Sequence, residues 1–188
     1  MNIKEKLKKI KLKLVHKYNH KLFNEILKIR NEINIRNNMI NNSLIYEKDH
    51  HTWIKKSLKD KKKIFYLINI SNEIAGMLIV DQIEKIHKRA NWAFYLSKKY
   101  QNNYGALIEY KFLNIFFKNK IYNKLNCVVL SHNQRVIKLH KKFGFLSEGL
   151  LTDYIYRKKK FIDLCMMGIK KERWFEYKIK IDNILNIN

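Results

Sequence analysis

The 188-residue chain contains no proline, five glycines and two cysteines. Cys127 and Cys165 lie far apart, each in an apolar run, so no disulfide framework is available and both read as buried, inert thiols. No closely spaced Cys or His pairs point to zinc, and no metal is expected. Long apolar runs are missing too. The run 74–80 is strand-sized and falls short of the roughly 20 residues needed to cross a bilayer. Residues 1–13 scatter lysines among single Ile and Leu residues, without the continuous apolar stretch of a secretory leader, so a cytoplasmic protein is expected. No repeat and no Gly-, Pro- or Ser-rich linker divides the chain. The expectation is one domain over 1–188, with a core of about 10–171 and a tail, 172–188, that reads as a packing helix.

Acidic residues are scarce: 16 Asp and Glu stand against 40 Lys and Arg, a formal charge of +24. Such a balance favours anionic partners in general. The lysines are dispersed, however, through a chain rich in Lys, Asn and Ile throughout, which fits a compositional bias and a solvated surface. No nucleic-acid motif accompanies the charge, and specific nucleic-acid binding is not expected. Where glycine is rare, the surviving Gly76, Gly105, Gly144, Gly149 and Gly168 mark positions that need positive φ or close backbone approach.

Apolar spacing gives a mixed α/β order. Strands are expected at 10–16, 64–69, 74–80, 90–96, 125–130, 145–157 and 161–170, with hairpin turns at Ser71-Asn72 and across 158–160. Helices are expected from a cap at Asn19 to Arg30, over 49–59, from Leu107 to about Phe117, and over 134–143 with Gly144 as the stop. Residues 30–45 are Asn-rich and read as irregular.

Two segments carry chemistry. After the strand 90–96 the chain runs through Asn102, Asn103, Tyr104, Gly105 and Ala106 into an apolar helix. A helix N-terminus offers free amides and a positive dipole end, and can hold a pyrophosphate where a glycine lets it approach. An ordinary strand-to-helix turn explains the same segment. The second segment follows the strand 125–130 and holds Asn133, Val136, Leu139, His140, Lys142, Gly144 and Phe145. Val136, Leu139, His140 and Phe143 share one helical face, so His140 turns inward; taken alone it is a packed histidine.

The spacing Asn133, Val136, Leu139, His140, Lys142, Gly144, Phe145 resembles the signature of the GNAT superfamily of acyl-CoA N-acyltransferases, with His140 where the family has tyrosine. In the family's upstream phosphate loop Tyr100 replaces Arg or Gln and Asn103 replaces the first glycine, while Gly105 and Ala106 follow. The resemblance implies a central, mostly antiparallel seven-stranded sheet, flanked by about four helices. Its fourth and fifth strands splay apart, with a bulge in the fourth. It implies acetyl-CoA as cosubstrate, held by Asn103, Tyr104, Gly105, Ala106, Asn133 and Lys142, with the Leu96 N–H polarising the thioester. It implies His140 as the general acid.

For the acceptor, Arg30-Asn31, Arg36 to Met39 and the string Asp49-His50-His51-Thr52-Trp53-Ile54 resemble one branch, the N-acetyltransferases of pseudaminic acid biosynthesis, a route tied to flagellin glycosylation. Those enzymes acetylate the 4-amine of a UDP-linked 4-amino-4,6-dideoxy sugar. The resemblance implies Arg30 on the diphosphate, Met39, Ile40, Trp53 and Trp92 as an apolar wall, and His50 as relay for the amine proton. Val128 stands where related enzymes often carry an acid. The alternatives are a protein N-terminal or polyamine acetyltransferase of the same fold, and a basic nucleic-acid-binding module. A homodimer remains open.

Overall fold

A computed structural model describes residues 2–185. Asn2 caps the first helix, α1 (Ile3–Lys9), in a reciprocal capping box with Glu5. There follow β1 (Ile10–Leu14), α2 (His20–Arg30), α3 (Ile33–Arg36), α4 (Glu47–Ser57), β2 (Ile64–Ile70), β3 (Glu73–Glu84) and β4 (Arg89–Leu96). The second half comprises α5 (Lys98–Lys118), β5 (Lys124–Leu130), α6 (Gln134–Lys142), β6 (Leu146–Arg157), β7 (Lys160–Lys170) and α7 (Lys171–Leu185). The seven strands form one sheet in the order β1-β2-β3-β4-β5-β7-β6. All neighbours are antiparallel except β4 and β5.

Strand alternation sends side chains to two cores. Ala90, Trp92 and Leu96 of β4 join α5, α6 and α7 in the larger one, around Phe112, Phe117, Phe145 and Trp174. On the other face Phe23 and Ile26 of α2 and Ile54 of α4 pack on Phe65, Leu67 and Met77, with Tyr95 against them. Four fully buried aromatic rings in the larger core (Phe112, Phe117, Phe145 and Trp174) account for much of its stabilisation, at about 25 cal/mol per Å² of apolar surface removed from water.

The expected turns form without glycine. Ser71 and Asn72 have φ of 52° and 68°, and Lys158 and Lys159 have 49° and 61°, so left-handed residues close both hairpins. Gly144 takes φ 97° just past α6; a side chain there would strike the Tyr177 ring at 2.8 Å. Three expectations need correction. Residues 33–36, within the stretch read as irregular, are helical, and so are residues 3–9, for which no element was expected. The bulge falls in β3, not in the fourth strand: two residues, Gln82 and Ile83, oppose one, and Gln82 has φ 46°. Finally, α5 starts at Lys98, not Leu107, so Gly105 lies inside it. One interior glycine costs a helix only about 1 kcal/mol relative to alanine, and the apolar stretch that follows outweighs it. The tail is helical to Leu185; residues 186–188 lie outside the described residues.

Candidate active site

The parallel pair β4–β5 lasts three rungs, Arg89–Lys124, Ala90–Leu125 and Asn91–Asn126, and then the strands part. Asn126 Nδ2 donates to Asn91 Oδ1 at 3.4 Å across the last rung. Beyond it lies a fork whose β4 side is set by the register with β3. Ser97 N–H donates to Ala75 O at 2.8 Å. The opposed pair one step back, Gly76 and Leu96, is therefore a non-hydrogen-bonded pair. The Leu96 N–H consequently points away from β3 and into the fork. Gly76 permits this: a Cβ on it would stand 1.9 Å from the Tyr95 carbonyl oxygen.

At the base of the fork a charged pair is sealed from water. His140 of α6 is 4% exposed and Glu109 of α5 is 0% exposed. His140 Nδ1 and Glu109 Oε1 are 2.8 Å apart, while Glu109 Oε2 has no partner. Trp92, Phe145 and the β5 residue Cys127 surround the imidazole. Burial alone would push the imidazole down, but the Glu109 carboxylate, helped by Cys127, outweighs it and lifts His140 to about 10. The ring is therefore an imidazolium at neutral pH.

Beside the fork, α5 opens after Ser97, which makes no side-chain cap. Glu32 replaces that cap, its carboxylate accepting from Lys98 N–H at 2.9 Å. Arg135 of α6 reaches this first turn, donating to Asn102 Oδ1 at 2.8 Å and Gln101 O at 3.1 Å. Asn133 caps α6, its Oδ1 accepting from Val136 N–H at 3.4 Å, which leaves its amide NH2 available. At Gly105 a Cβ would touch only Leu139 Cδ2, at 3.9 Å, so packing within the chain does not demand glycine there.

On the opposite face of the sheet three guanidiniums clasp one loop. Arg30 donates to Asn41 O at 2.9 Å and Arg36 to Asn42 O at 2.9 Å. Arg157, from the β6–β7 hairpin, donates to Asn37, Met39 and Ile40 carbonyls at 3.1, 2.5 and 2.9 Å. Arg30 keeps one nitrogen, Nη1, buried without a partner. Burial lowers its pKa, nearby Tyr95 counters, and Arg36 lowers it further. Burial in turn raises the Tyr95 phenol, with Arg30 opposing. His50 is 4% exposed and its Nδ1 is unpartnered. Burial first, then the charges of His51 and Arg30, bring it to about 4.

Residues 17–166 match the family model of the acetyltransferase (GNAT) domain. The chain belongs to the GNAT acetyltransferase family. As such it is an acyltransferase that uses acetyl-CoA. An uncharacterised N-acetyltransferase derived from the SPbeta prophage of Bacillus subtilis strain 168, YokL, is 27% identical over 125 residues, covering 65% of this chain and 70% of that protein. Among solved structures, spermidine N-acetyltransferase from Vibrio cholerae in complex with CoA and spermine superposes with TM-score 0.81 at 16% identity, over 89% of this chain and 99% of that one. A dodecameric structure of the Vibrio cholerae enzyme gives TM-score 0.74 at 15% identity, over 89% and 96%. At these identities the structures share the fold.

In this acetyltransferase the expected cofactor residues fall on the elements that flank the fork, β4, α5 and α6. Leu96 presents its amide there, and Asn133 stands at the head of α6. Asn103, Tyr104, Gly105 and Ala106 lie within α5, so their amides belong to the helix ladder. The first turn of the helix is instead the one after Ser97, where Glu32 holds the Lys98 amide, and Lys142 is exposed on α6. Trp92 does not line the acceptor face. It is 2% exposed and stacks on Phe94, Phe112 and Phe145 in the opposite core. Trp53 is 43% exposed, packs edge-on to Phe65 and carries Lys63 over its ring. Val128 is exposed on β5, on the face opposite Cys127. Sequence reasoning missed Glu109, Tyr95 and Arg157, and gave Arg36 a place in a motif without a role. A lone carboxylate in the apolar run Leu107-Ile108-Glu109-Tyr110 was the available signal for the first. Arg157 is hidden by the lysines beside it. Among the described residues no helix is long and apolar enough to cross a membrane.

Proposed function

We propose that this acetyltransferase acts on a primary amine carried by an oxygen-rich, anionic small molecule, a UDP-linked 4-amino-4,6-dideoxy sugar. The observation that carries the reading is Arg30. Its buried, unpartnered Nη1 wants an acceptor oxygen, and it stands with Arg36 and Arg157 at the acceptor face. A guanidinium suits a phosphate or carboxylate and repels a polycation. Met39 and Ile40, on the loop these arginines hold, supply apolar contact.

The fork supports the acetyl-CoA side of the reading. Acetyl-CoA brings an activated thioester; the chain's own groups orient it and manage charge and proton. The Leu96 N–H donates to the thioester oxygen and stabilises the negative charge that grows there as the amine attacks. The lone pair of the amine forms the new C–N bond, the C–S bond breaks, and the departing thiolate takes a proton from the His140 imidazolium. The pairing with Glu109 supports that role by keeping the proton on the ring at neutral pH. The amine's own proton leaves to water, with His50, held neutral by its low pKa, able only to relay it. The first turn of α5 and Arg135 would hold the pyrophosphate, and Asn133 the amide arm.

A second reading has the support of the comparisons. The solved neighbours are spermidine N-acetyltransferases, one with CoA and spermine bound, which favours a polyamine acceptor. The scarcity of acids here speaks against it. Offering the UDP-4-amino sugar, spermidine and a peptide amine side by side, with acetyl-CoA, separates the readings. The expected result is a kcat/KM for the nucleotide sugar at least about a hundredfold above the others. Preference for spermidine would transfer the chain to the polyamine class, and preference for the peptide to the protein class.

A further inference from the structure

One cluster plays no part in acetyl transfer. His20 opens α2, Glu47 opens α4, and His51 follows Glu47 one turn later on the same helix face. Glu47 Oε1 lies 3.3 Å from His20 Nε2 and 3.5 Å from His51 Nε2, and the three atoms all lie within 4.8 Å of one another. Around zinc, ligand bonds of about 2.0–2.1 Å in a tetrahedron set neighbouring donor atoms roughly 3.3 Å apart. The carboxylate oxygen already stands near that spacing from each imidazole nitrogen, and the two nitrogens lie within 4.8 Å of each other.

The surroundings are arranged as they are behind a metal ligand. His51 is 7% exposed, and its far nitrogen, Nδ1, is 2.9 Å from the Tyr18 hydroxyl. Such an outer partner fixes ring orientation and tautomer. Asn24 donates to Glu47 Oε1 at 3.1 Å and places Oδ1 2.6 Å from His51 Nε2. Without an ion, His51 therefore carries its proton on Nε2, bonded to Asn24. Loading a cation moves that proton to Nδ1, where the Tyr18 oxygen turns from donor to acceptor, and frees Nε2 to ligate. The His20 and His51 rings stack 4.4 Å apart at 14°, both edges toward Glu47. The His20 side chain is 62% exposed and has room to rotate into the ligand geometry.

The geometry points to a binding site for a divalent transition metal of the zinc class at His20, Glu47 and His51, with water as fourth ligand. Two imidazoles and one carboxylate suit zinc, cobalt or nickel; magnesium and calcium demand more oxygen ligands. The positive chain also disfavours a cation that offers no strong bonds to nitrogen. The ion would bolt the start of α2 to the start of α4. These helices carry Arg30 and His50.

The test uses untagged, full-length protein stripped with a chelator. Zinc should raise the melting temperature by about 5–10 °C at a hundredfold excess over its Kd. Magnesium should leave it unmoved, and cobalt should develop the visible d–d absorption of a four- or five-coordinate ion. His20→Ala and Glu47→Gln, both exposed and compatible with folding, should each weaken cobalt affinity by more than about tenfold. An equal response to magnesium, no response to zinc, or cobalt binding unchanged in the double variant would each overturn the site. Activity is not the readout, so the outcome is independent of which amine is acetylated.

Discussion

Replacing Glu109 by glutamine removes the charge that keeps His140 protonated in the core. The magnitude follows from the shift. Lifting the imidazole from 6.5 to about 10 stabilises the fold by about 1.4 kcal/mol per unit, of which roughly three units count at pH 7. That gives about 4 kcal/mol, within the roughly 3–5 kcal/mol lost when one partner of a buried pair is removed. The sign is fixed by linkage. A raised folded-state pKa contributes fully below about 6.5 and is lost as pH rises toward about 10, because over that window the folded chain holds a proton that the unfolded chain has released. Urea unfolding of the unaltered protein at pH 6.5, 7.5, 8.5 and 9.5 should therefore show stability declining by up to about 1.4 kcal/mol per pH unit from this group. In the Glu109→Gln variant the slope should flatten and stability at pH 7 should fall. Parallel pH curves for the two proteins would refute the reasoning. Should the variant fail to fold, an NMR titration of His140 in the unaltered chain decides the matter: a midpoint near 6.5 would refute it equally.

His140→Phe should lower kcat by about 10²–10⁴ with little change in the KM for acetyl-CoA, as loss of a general acid does; unchanged turnover would remove His140 from the chemistry. Gly105→Ala meets only Leu139 Cδ2 at 3.9 Å, so it should gain up to about 1 kcal/mol of stability from helix propensity, as urea denaturation would record; a loss of stability would show that the position needs glycine. Arg157→Ala releases three loop carbonyls and should raise the acceptor KM well above its effect on kcat, because the 37–42 loop loses its clasp.

The sequence made the periodic parts legible. The strand 74–80, the capped start at Asn19 and the stop at Gly144 each rest on local chemistry, and each stands where it was expected. The start of α5 differs from the sequence expectation because Gly105 resembles punctuation. In a long apolar helix one glycine is a small penalty, and the tertiary contacts of Leu107 to Phe117 decide. The acceptor face was legible only in part. Arg30 and His50 belonged to a recognisable string, whereas Arg157 reaches the same loop from 117–120 residues away. No local pattern announces such a contact. Trp92 was misplaced by one face of the strand, since a resemblance gives residue type without side-chain direction. Glu109 and His140 are 31 residues apart, and only the packing of α6 on α5 makes them a pair.

The final helix holds more of the molecule than its place at the end of the chain suggests. Trp174 is fully enclosed against Tyr110 and Phe143, Arg173 grips the Gly144 carbonyl at 2.6 Å, and Asp182 receives the Tyr110 hydroxyl. Pruning the protein before Trp174 would therefore leave a hollow the size of an indole beneath the helix that carries His140. Such a shortened protein would lose the backing that keeps α6, and with it His140, seated against Glu109.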